Sequence, residues 1–229
     1  NVFAAIGESV KNPTFTERFG FFTNFVGNRD LKPEQSLHWE VGARRTMLDD
    51  QLSSSITVFS ADLENEINGF VFDSTTGGFT SANVEGDSTR EGVELQMKYA
   101  PGARFDVQAS YTYLNASQED LGGKDMTEVR RPEHSGSVAF NYYWDRAGIN
   151  LVVSYTGEQE DDFFPPFPPF QERVALDSFT LVSLGARYNL TDRLTLTGRV
   201  ENLADEDYEQ VYGFQSPGVS AYLGIRVSW

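Results

Sequence analysis

Residues 218–229, GVSAYLGIRVSW, alternate strictly between two sets of side chains. One set is apolar and runs from Val219 through Leu223 to Trp229, and the other is small, polar or basic. Successive side chains of a strand point to opposite faces, so the pattern predicts a strand with one apolar face. A tilted strand of about 9–11 residues spans a bilayer, whereas strands of soluble proteins usually have about 5–6 residues. The length and the terminal aromatic residue therefore indicate a membrane-spanning β-strand.

The same alternation recurs along the chain and predicts about ten strands with little room for helix. The further segments lie at residues 2–10, 37–43, 52–63, 93–99, 105–113, 138–144, 149–155, 182–188 and 194–200. No stretch approaches the about 18 consecutive apolar residues of a membrane-spanning helix. The fold class predicted from these segments is all-β and antiparallel, and a helical membrane protein is excluded.

The connections between the predicted strands alternate between short and long. Short turns lie at residues 47–51, 100–103, 145–147 and 189–193, and long stretches lie at 9–35, 64–87, 116–132, 158–175 and 202–217. Outer-membrane barrels have this asymmetry, with short turns in the periplasm and long loops outside the cell. Four aromatic residues beside the short turns or the C-terminus, Tyr99, Trp144, Tyr188 and Trp229, predict an aromatic girdle at that membrane interface. We therefore predict a transmembrane β-barrel in the outer membrane of a Gram-negative bacterium, with a periplasmic C-terminus.

The formal net charge of −16 is concentrated in the long connections, for example at residues 158–162 and 205–209. Acidic loops disfavour nucleic acid as a partner, because like charges repel. The carboxylates would keep the loops soluble or engage divalent cations among surface lipopolysaccharide. The chain has no cysteine, so it forms no disulfide. No metal site and no cofactor are predicted.

The residues before the last predicted strand, NLADEDYE at 202–209, resemble the motif NLFDKDYE of TonB-dependent outer-membrane receptors. Further segments are similar to that family and follow its order: VKNP at 10–13, LKPEQS at 31–36, WEVG at 39–42, Asn83 with Glu85 and Gly86, REGVE at 90–94, RRPEH at 130–134, and GFQ at 213–215 with PG at 217–218. The resemblance covers essentially the whole chain. One departure is Val219, which stands where the family usually has arginine after Pro-Gly.

The resemblance implies a barrel of twenty-two strands that encloses an N-terminal plug and is coupled to TonB. Residues 1–229 would be the C-terminal part of that barrel, about its last ten strands, with the plug and the N-terminal strands absent from this sequence. An open sheet in lipid would leave backbone groups unpaired at several kcal/mol apiece. We therefore expect these strands to join others and not to insert as a closed pore of their own.

Several family-motif residues are assigned structural roles. Pro33 and Pro132 can begin strands, because the first residue of a strand need not donate to the ladder. Gly92 permits close approach of another backbone inside a strand, and Asn202 and Asp205 are turn formers. Glu34, Glu94 and Tyr208 complete this set of motif residues. None of them is predicted to be catalytic, and the chain is not predicted to be an enzyme.

The function implied by the resemblance is TonB-dependent uptake of a scarce nutrient, either cobalamin or a ferric siderophore. The motif order and compact loops are more similar to vitamin B12 receptors. The partners expected are the lipid bilayer, lipopolysaccharide, TonB through the plug, and the ligand itself. Candidate ligand contacts are aromatic residues of two loops: Phe163, Phe164, Phe167 and Phe170 of a proline-rich loop, with Tyr212 and Phe214 of the last loop. These rings would either form an apolar platform or pack the loops onto one another.

Two alternatives assume a self-contained ten-stranded barrel. An omptin-like protease would need Asp and His pairs at the outer rim, and the chain has only His38 and His134, the latter near Asp125 or Glu133. A passive porin would use rings of inward-facing charge, for which the candidates are Glu94, Lys98, Arg199, Glu201 and Arg226. Ion conductance separates a porin from a plugged receptor.

Overall fold

The computed structural model describes residues 1–22, 24–84, 86, 88–119 and 124–229. Within these residues the chain forms strands and one short helix, α1. The strands are β1 Val2–Lys11, β2 Glu34–Met47, β3 Leu52–Glu64, β4 Ile67–Asp73, β5 Gly78–Asn83, β6 Ser88–Gly102, β7 Phe105–Glu119, β8 Asp125–Thr127, β9 His134–Tyr143, β10 Ala147–Thr156, β11 Gln159–Phe163, β12 Glu172–Leu176, β13 Phe179–Thr191, β14 Leu194–Glu201, β15 Glu209–Val211, β16 Phe214–Gln215 and β17 Ser220–Val227; α1 is Phe15–Phe19. The described residues contain no helix that could span a bilayer.

Ten strands form one antiparallel meander in the order β1-β2-β3-β6-β7-β9-β10-β13-β14-β17, with β8 added to β7. We call these ten strands the wall. Each of the ten segments predicted from alternation is a wall strand, so the all-β antiparallel prediction is confirmed. Strands β6 and β7 are longer than predicted, with 15 residues each, because their pairing continues into polar sequence.

The prediction of one strand over residues 218–229 was wrong in its bounds. Strand β17 has 8 residues, Ser220–Val227, because its only partner among the described residues, β14, is itself only 8 residues long. Beyond β17 the pairing is extended by one hydrogen bond, from the Ser228 amide to the Arg193 carbonyl at 2.9 Å. The alternation itself continues to Trp229, which is why the sequence pattern is longer than the strand.

The wall has one apolar and one polar face. On the apolar face, directly paired residues form rows such as Val41, Val58, Val93 and Tyr113. The neighbouring row on the other face is polar and includes Thr57, Glu94, Thr112 and Ser135. A slip of one residue between two strands would exchange the faces, so the register is strongly specified.

The apolar face is not covered by a second layer of the described chain. Leu223 is 95% exposed, Ile225 71% and Val227 58%. A water-soluble sandwich would bury these residues against a second sheet. An apolar surface that extends along all ten strands fits contact with acyl chains.

The connections alternate as predicted. Short turns at residues 48–51, 103–104, 144–146 and 192–193 lie at one end of the wall, here called the short-turn end. The long connections lie at the opposite, long-loop end and contain structure that the sequence did not predict: α1, the hairpins β4–β5, β11–β12 and β15–β16, and strand β8. Of the predicted girdle, Trp144 lies beside Tyr142 at the short-turn end, with ring centroids 4.6 Å apart.

The buried apolar side chains of the described residues are at the long-loop end and not in the middle of the wall. They belong to the loops or to the strand ends next to them: Phe25, Leu31, Leu63, Ile67, Val84, Ala116, Leu176 and Phe179. The loops therefore share a small core of their own above the wall.

The face assignment predicts a difference between two adjacent valines of β10. Val153 belongs to the apolar face, paired with Val138 and Val182, and Val152 belongs to the polar face, paired with Ala139 and Ser183. In the protein reconstituted in liposomes, Val153→Lys should lower the free energy of unfolding by up to about 2–4 kcal/mol, because this side chain would face the acyl chains. Val152→Lys should change it much less. Denaturant titration measures both, and equal losses would contradict the assignment.

Candidate ligand-binding mouth

The long loops are held together by a cluster of aromatic rings. We define the phenylalanine cluster as Phe25, Phe70, Phe72, Phe79, Phe164 and Phe170. The rings of Phe70 and Phe79 are stacked at 4.3 Å between centroids, and Phe25 is buried beside Phe70. Three different connections supply these rings, so the cluster joins the loops after β1, β3 and β10. Each such ring pair stabilises the arrangement by about 0.5–1.5 kcal/mol beyond the area that it buries.

The structure divides the six predicted ligand contacts into three pairs. Phe164 and Phe170 are half-buried in the cluster, Phe164 against Phe70 at 5.2 Å and Phe170 against Phe72 at 4.6 Å. These two rings therefore pack one loop onto another and do not form an exposed platform for a ligand.

The other four rings are more accessible. Phe163 contacts Tyr212 at 5.1 Å and joins the β11–β12 and β15–β16 hairpins. Phe167 is 76% exposed and Phe214 is 73% exposed, so these two rings are free to contact a ligand. Their role in ligand binding stays a prediction.

Asp161 joins three loops through buried hydrogen bonds. Its side chain is 1% exposed. One carboxylate oxygen accepts from Arg130 Nε at 2.9 Å and from the Asp162 amide at 2.8 Å, and the other accepts from the Tyr212 amide at 2.8 Å. We call these contacts the Asp161 latch. Burial raises the pKa of Asp161, but the hydrogen bonds from Arg130, Tyr212 and Asp162, together with the charge of Arg130, lower the pKa by more. The net result is a pKa below the ordinary value.

A second ionic network joins the β3–β6 connection to the β7–β9 connection. Arg90 pairs through Nε with Glu128 at 2.6 Å and through Nη2 with Glu66 at 2.9 Å. Glu128 also accepts from Arg131 Nε at 3.0 Å. Sequence reasoning noted Arg90, Arg130 and Arg131 only as parts of family-like motifs. Their acidic partners Glu66, Glu128 and Asp161 were not singled out, because nothing distinguishes them from the other loop carboxylates.

The motif residues near β2 connect the wall to the loops. Glu34 begins β2 directly after Pro33 and accepts from Lys11 Nζ at 2.8 Å and from the Ile67 amide at 2.9 Å. Asn83 accepts from the Lys32 amide at 2.8 Å and donates to the Lys32 carbonyl at 3.1 Å. Glu85 of the same motif lies outside the described residues.

The remaining motif residues of the central wall lie in β6 or just before β9. A Cβ at Gly92 would overlap the Tyr113 carbonyl oxygen and the Phe59 ring, so only glycine fits this close approach of β7. Glu94 lies two residues further on the polar face. Pro132 lies two positions before His134, the first residue of β9.

The NLADEDYE segment forms a loop that is held by its own side chains. Asn202, with φ 51°, donates to the carbonyls of Glu206 at 2.8 Å and Pro217 at 3.3 Å and accepts from the Glu206 amide at 2.8 Å. Asp205 accepts from the Val219 amide at 3.1 Å, and Tyr208 packs on Phe179 at 4.5 Å. These contacts agree with a structural role, and this role stays a prediction.

The two histidines lie on different strands and on opposite faces of the wall. His38 is on the polar face of β2, and His134 is on the apolar face of β9, where Nδ1 is 2.9 Å from the Tyr111 hydroxyl. Asp125 pairs with Glu119 in the β7–β8 ladder. In the part of the chain that the structure describes, no group of three or more His, Cys, Asp or Glu is arranged to hold a metal ion.

The charged residues considered for a porin lumen lie on the polar face. Lys98 pairs with Gln108, and Arg226 pairs with Thr195. Arg199 is 3.3 Å from Glu201 and stacks over the Tyr222 ring at 4.8 Å. This face therefore carries both signs of charge.

Comparison with known proteins identifies close similarity to one family. The sequence model of the family described as TonB dependent receptor-like, β-barrel, matches residues 1–203. The vitamin B12 transporter BtuB of Photobacterium profundum is 29% identical over 218 residues, which are 93% of this chain and 33% of that protein. The pyoverdine outer membrane receptor FpvA from Pseudomonas aeruginosa PAO1 has a TM-score of 0.74 at 19% identity, over 100% of this chain and 34% of that one.

A second solved structure, the siderophore receptor PirA from Acinetobacter baumannii, has a TM-score of 0.76 at 19% identity and covers 100% of this chain and 39% of that one. At these identities, the two structures support the fold alone. The chain spans about a third of the length of the relatives that it matches.

The Asp161 latch predicts that the packing of the loops at the long-loop end is sensitive to acid. Because the pKa of Asp161 is lower in the folded than in the unfolded state, its contribution to stability is complete above the unfolded pKa and is lost as the pH falls through the folded pKa. Hydrogen exchange of the Tyr212 amide in the folded protein should therefore accelerate as the pH is lowered from about 5 towards 2, after correction for intrinsic exchange.

Asp161→Asn should accelerate this exchange already at neutral pH, by the equivalent of about 1–3 kcal/mol, because Arg130 loses its charged partner. It should also remove most of the acid dependence. Glu160→Gln is the matched control, since the Glu160 carboxylate is only half-buried and pairs with Arg173 at 3.4 Å. If both variants protect the Tyr212 amide equally well, the latch does not hold the loops.

Proposed function

Since this chain belongs to the TonB-dependent receptor family, we propose that it supplies part of the barrel wall and of the extracellular mouth of a receptor for nutrient uptake. The family consists of outer-membrane β-barrels that act as transporters and not as enzymes. The observation that carries the proposal is the combination of a bare apolar face along ten strands with loops that are packed together at one end only.

The open edges of the wall support its place in a larger barrel. Among the described residues, β1 pairs only with β2, and β17 pairs only with β14. Unpaired backbone groups cost several kcal/mol each in lipid, so both edges need further strands. We propose that the wall forms about the last ten strands of a 22-stranded barrel. A plug domain from another part of the receptor would face the polar side and contact TonB, and the short turns and the C-terminus would face the periplasm.

The ligand that we favour is cobalamin. Curated relatives that are 27–29% identical to this chain are vitamin B12 transporters. The net charge of −16 lies largely in the loops and disfavours a highly anionic ferric complex by repulsion. A ferric siderophore is the second candidate, because the family-like motifs are common to receptors of both ligands.

The exposed rings of the mouth are the proposed ligand contacts. Phe167 and Phe214 present large apolar surfaces on loops that the phenylalanine cluster and the Asp161 latch hold in place. Rings on a fixed loop bind with a smaller loss of conformational entropy than rings on a mobile one. A large, ring-bearing ligand such as cobalamin would stack on them.

Ligand binding by the full-length receptor tests this assignment. Phe167→Ala combined with Phe214→Ala should weaken cyanocobalamin binding about tenfold, since two aromatic contacts of about 0.5–1.5 kcal/mol each are lost. Trp144→Ala is the control, because it truncates an exposed aromatic side chain at the opposite end of the wall. Isothermal titration with cyanocobalamin and with ferric siderophores distinguishes the two ligands. Unchanged affinity in the double variant would remove these rings from the site.

A transport assay distinguishes a TonB-dependent receptor from a passive porin and from a protease. Uptake of the bound ligand should stop in cells that lack TonB, and the purified receptor should not conduct ions in a planar bilayer. Steady conductance without TonB would instead favour a passive porin. Cleavage of peptides by the purified protein would favour a protease.

A further inference from the structure

The apolar face carries a groove that lies away from the mouth. Its volume is about 610 Å³, within the range of about 300–1,000 Å³ that is typical of small-molecule sites. Apolar side chains of five wall strands, among them Ile56, Leu95, Met97, Tyr111 and Val138, line the groove. The ligand-binding mouth uses none of these residues.

The groove follows from the sizes of side chains in two neighbouring rows of the apolar face. One row pairs Ala43 with Ile56, Leu95 and Tyr111, and the next pairs Arg45 with Ser54, Met97, Ala109 and Val138. The short side chains Ala43, Ser54 and Ala109 leave space between the longer ones. The lining is mainly apolar, which suits a hydrocarbon chain.

Arg45 lines this groove and is a charged exception on an apolar surface. By register, it is the only Arg or Lys that the ten wall strands carry on this face within the described residues. None of the ion pairs in this part of the chain includes Arg45. An arginine on a lipid-facing surface is costly unless its guanidinium reaches an anionic group at the interface.

The distribution of charge on the apolar face indicates which interface is involved. Arg45 lies two residues before the end of β2, near the short turn at 48–51. The carboxylates of the same face, which include Glu8, Asp62 and Glu91, lie towards the long-loop end. On the strands of this face, the cation is therefore near the short-turn end and the carboxylates are at the other end.

We propose that this groove binds one glycerophospholipid from the leaflet at the short-turn end of the wall. One acyl chain lies over Ala43, Ser54 and Ala109, and the phosphodiester accepts hydrogen bonds from the Arg45 guanidinium. Guanidinium binds phosphate oxygens with two parallel hydrogen bonds, which gives the contact a defined geometry. The identity of the leaflet rests on the proposed periplasmic position of the short turns, whereas the contact between Arg45 and a lipid phosphate does not.

The test uses the full-length receptor, extracted from outer membranes and reconstituted in nanodiscs of phosphatidylethanolamine and phosphatidylglycerol. Native mass spectrometry then counts the phospholipids that stay bound after release. Arg45→Gln should reduce the retained phospholipid about fivefold, the loss expected for one cationic contact to a headgroup. Arg45→Lys should retain a larger share, because it keeps the charge but not the paired hydrogen bonds.

Arg146→Gln is the matched control, because it makes the same change of charge in a short turn, outside the groove. Ala109→Phe fills the groove without touching Arg45 and should also reduce retention. Cobalamin binding should be unchanged in all of these variants, so failure of the lipid proposal is distinguishable from failure of the proposed function.

Two results would overturn the proposal. One is equal retention in Arg45→Gln, Ala109→Phe and Arg146→Gln. The other is the release of lipopolysaccharide, and not phospholipid, as the species that depends on Arg45. Heat-dependent migration on gels confirms that each variant is folded before the comparison is made.

Discussion

The wall depends on one constraint, which is that each backbone donor and acceptor in a low-dielectric environment must find a partner on a neighbouring strand. The ladder from β1 to β17 meets it for every inner strand. Once the ladder is formed, the alternation of side chains determines which face each residue occupies. Val58 must point with Val41 and Val93, and Thr57 must point with Glu94. The position of each later feature, including the mouth and the Arg45 groove, follows from this register.

The sequence predicted the wall well because its signal is local. A period of two is visible within seven residues, as in Val93–Tyr99, and needs no knowledge of distant partners. Strand ends were harder, because they depend on the partner's length. The alternation reaches Trp229, but β17 ends at Val227, beside the 8-residue β14. The β4–β5 hairpin was missed for a related reason. Its residues show no regular alternation, and its stability comes from rings of other loops, such as Phe164.

The candidate site was predictable in composition but not in arrangement. The proline-rich loop indicated an aromatic surface. Which of its rings are packed and which are exposed depends on Phe70, which is distant in the sequence: Phe164 packs against Phe70, whereas Phe167 is exposed. Asp161 is one of several acidic residues between 158 and 162, and only the tertiary structure brings Arg130 and the Tyr212 amide to it. Buried, fully hydrogen-bonded groups of this kind are placed by long-range contacts, and a single sequence carries no pattern for them.

The two ends of the wall obtain their stability from different sources. At the long-loop end, Phe25, Leu176 and Phe179 are buried within the protein, so the loops have a core that does not require lipid. The middle of the wall has no such core, and residues such as Leu223 are stabilised only if acyl chains cover them. Changes in the bilayer should therefore alter the stability of the wall without loosening the loops. Acid should loosen the loops without unfolding the wall. In the proposed membrane location, this separation would let the loops hold a fixed set of aromatic rings above a sheet that is in contact with fluid lipid.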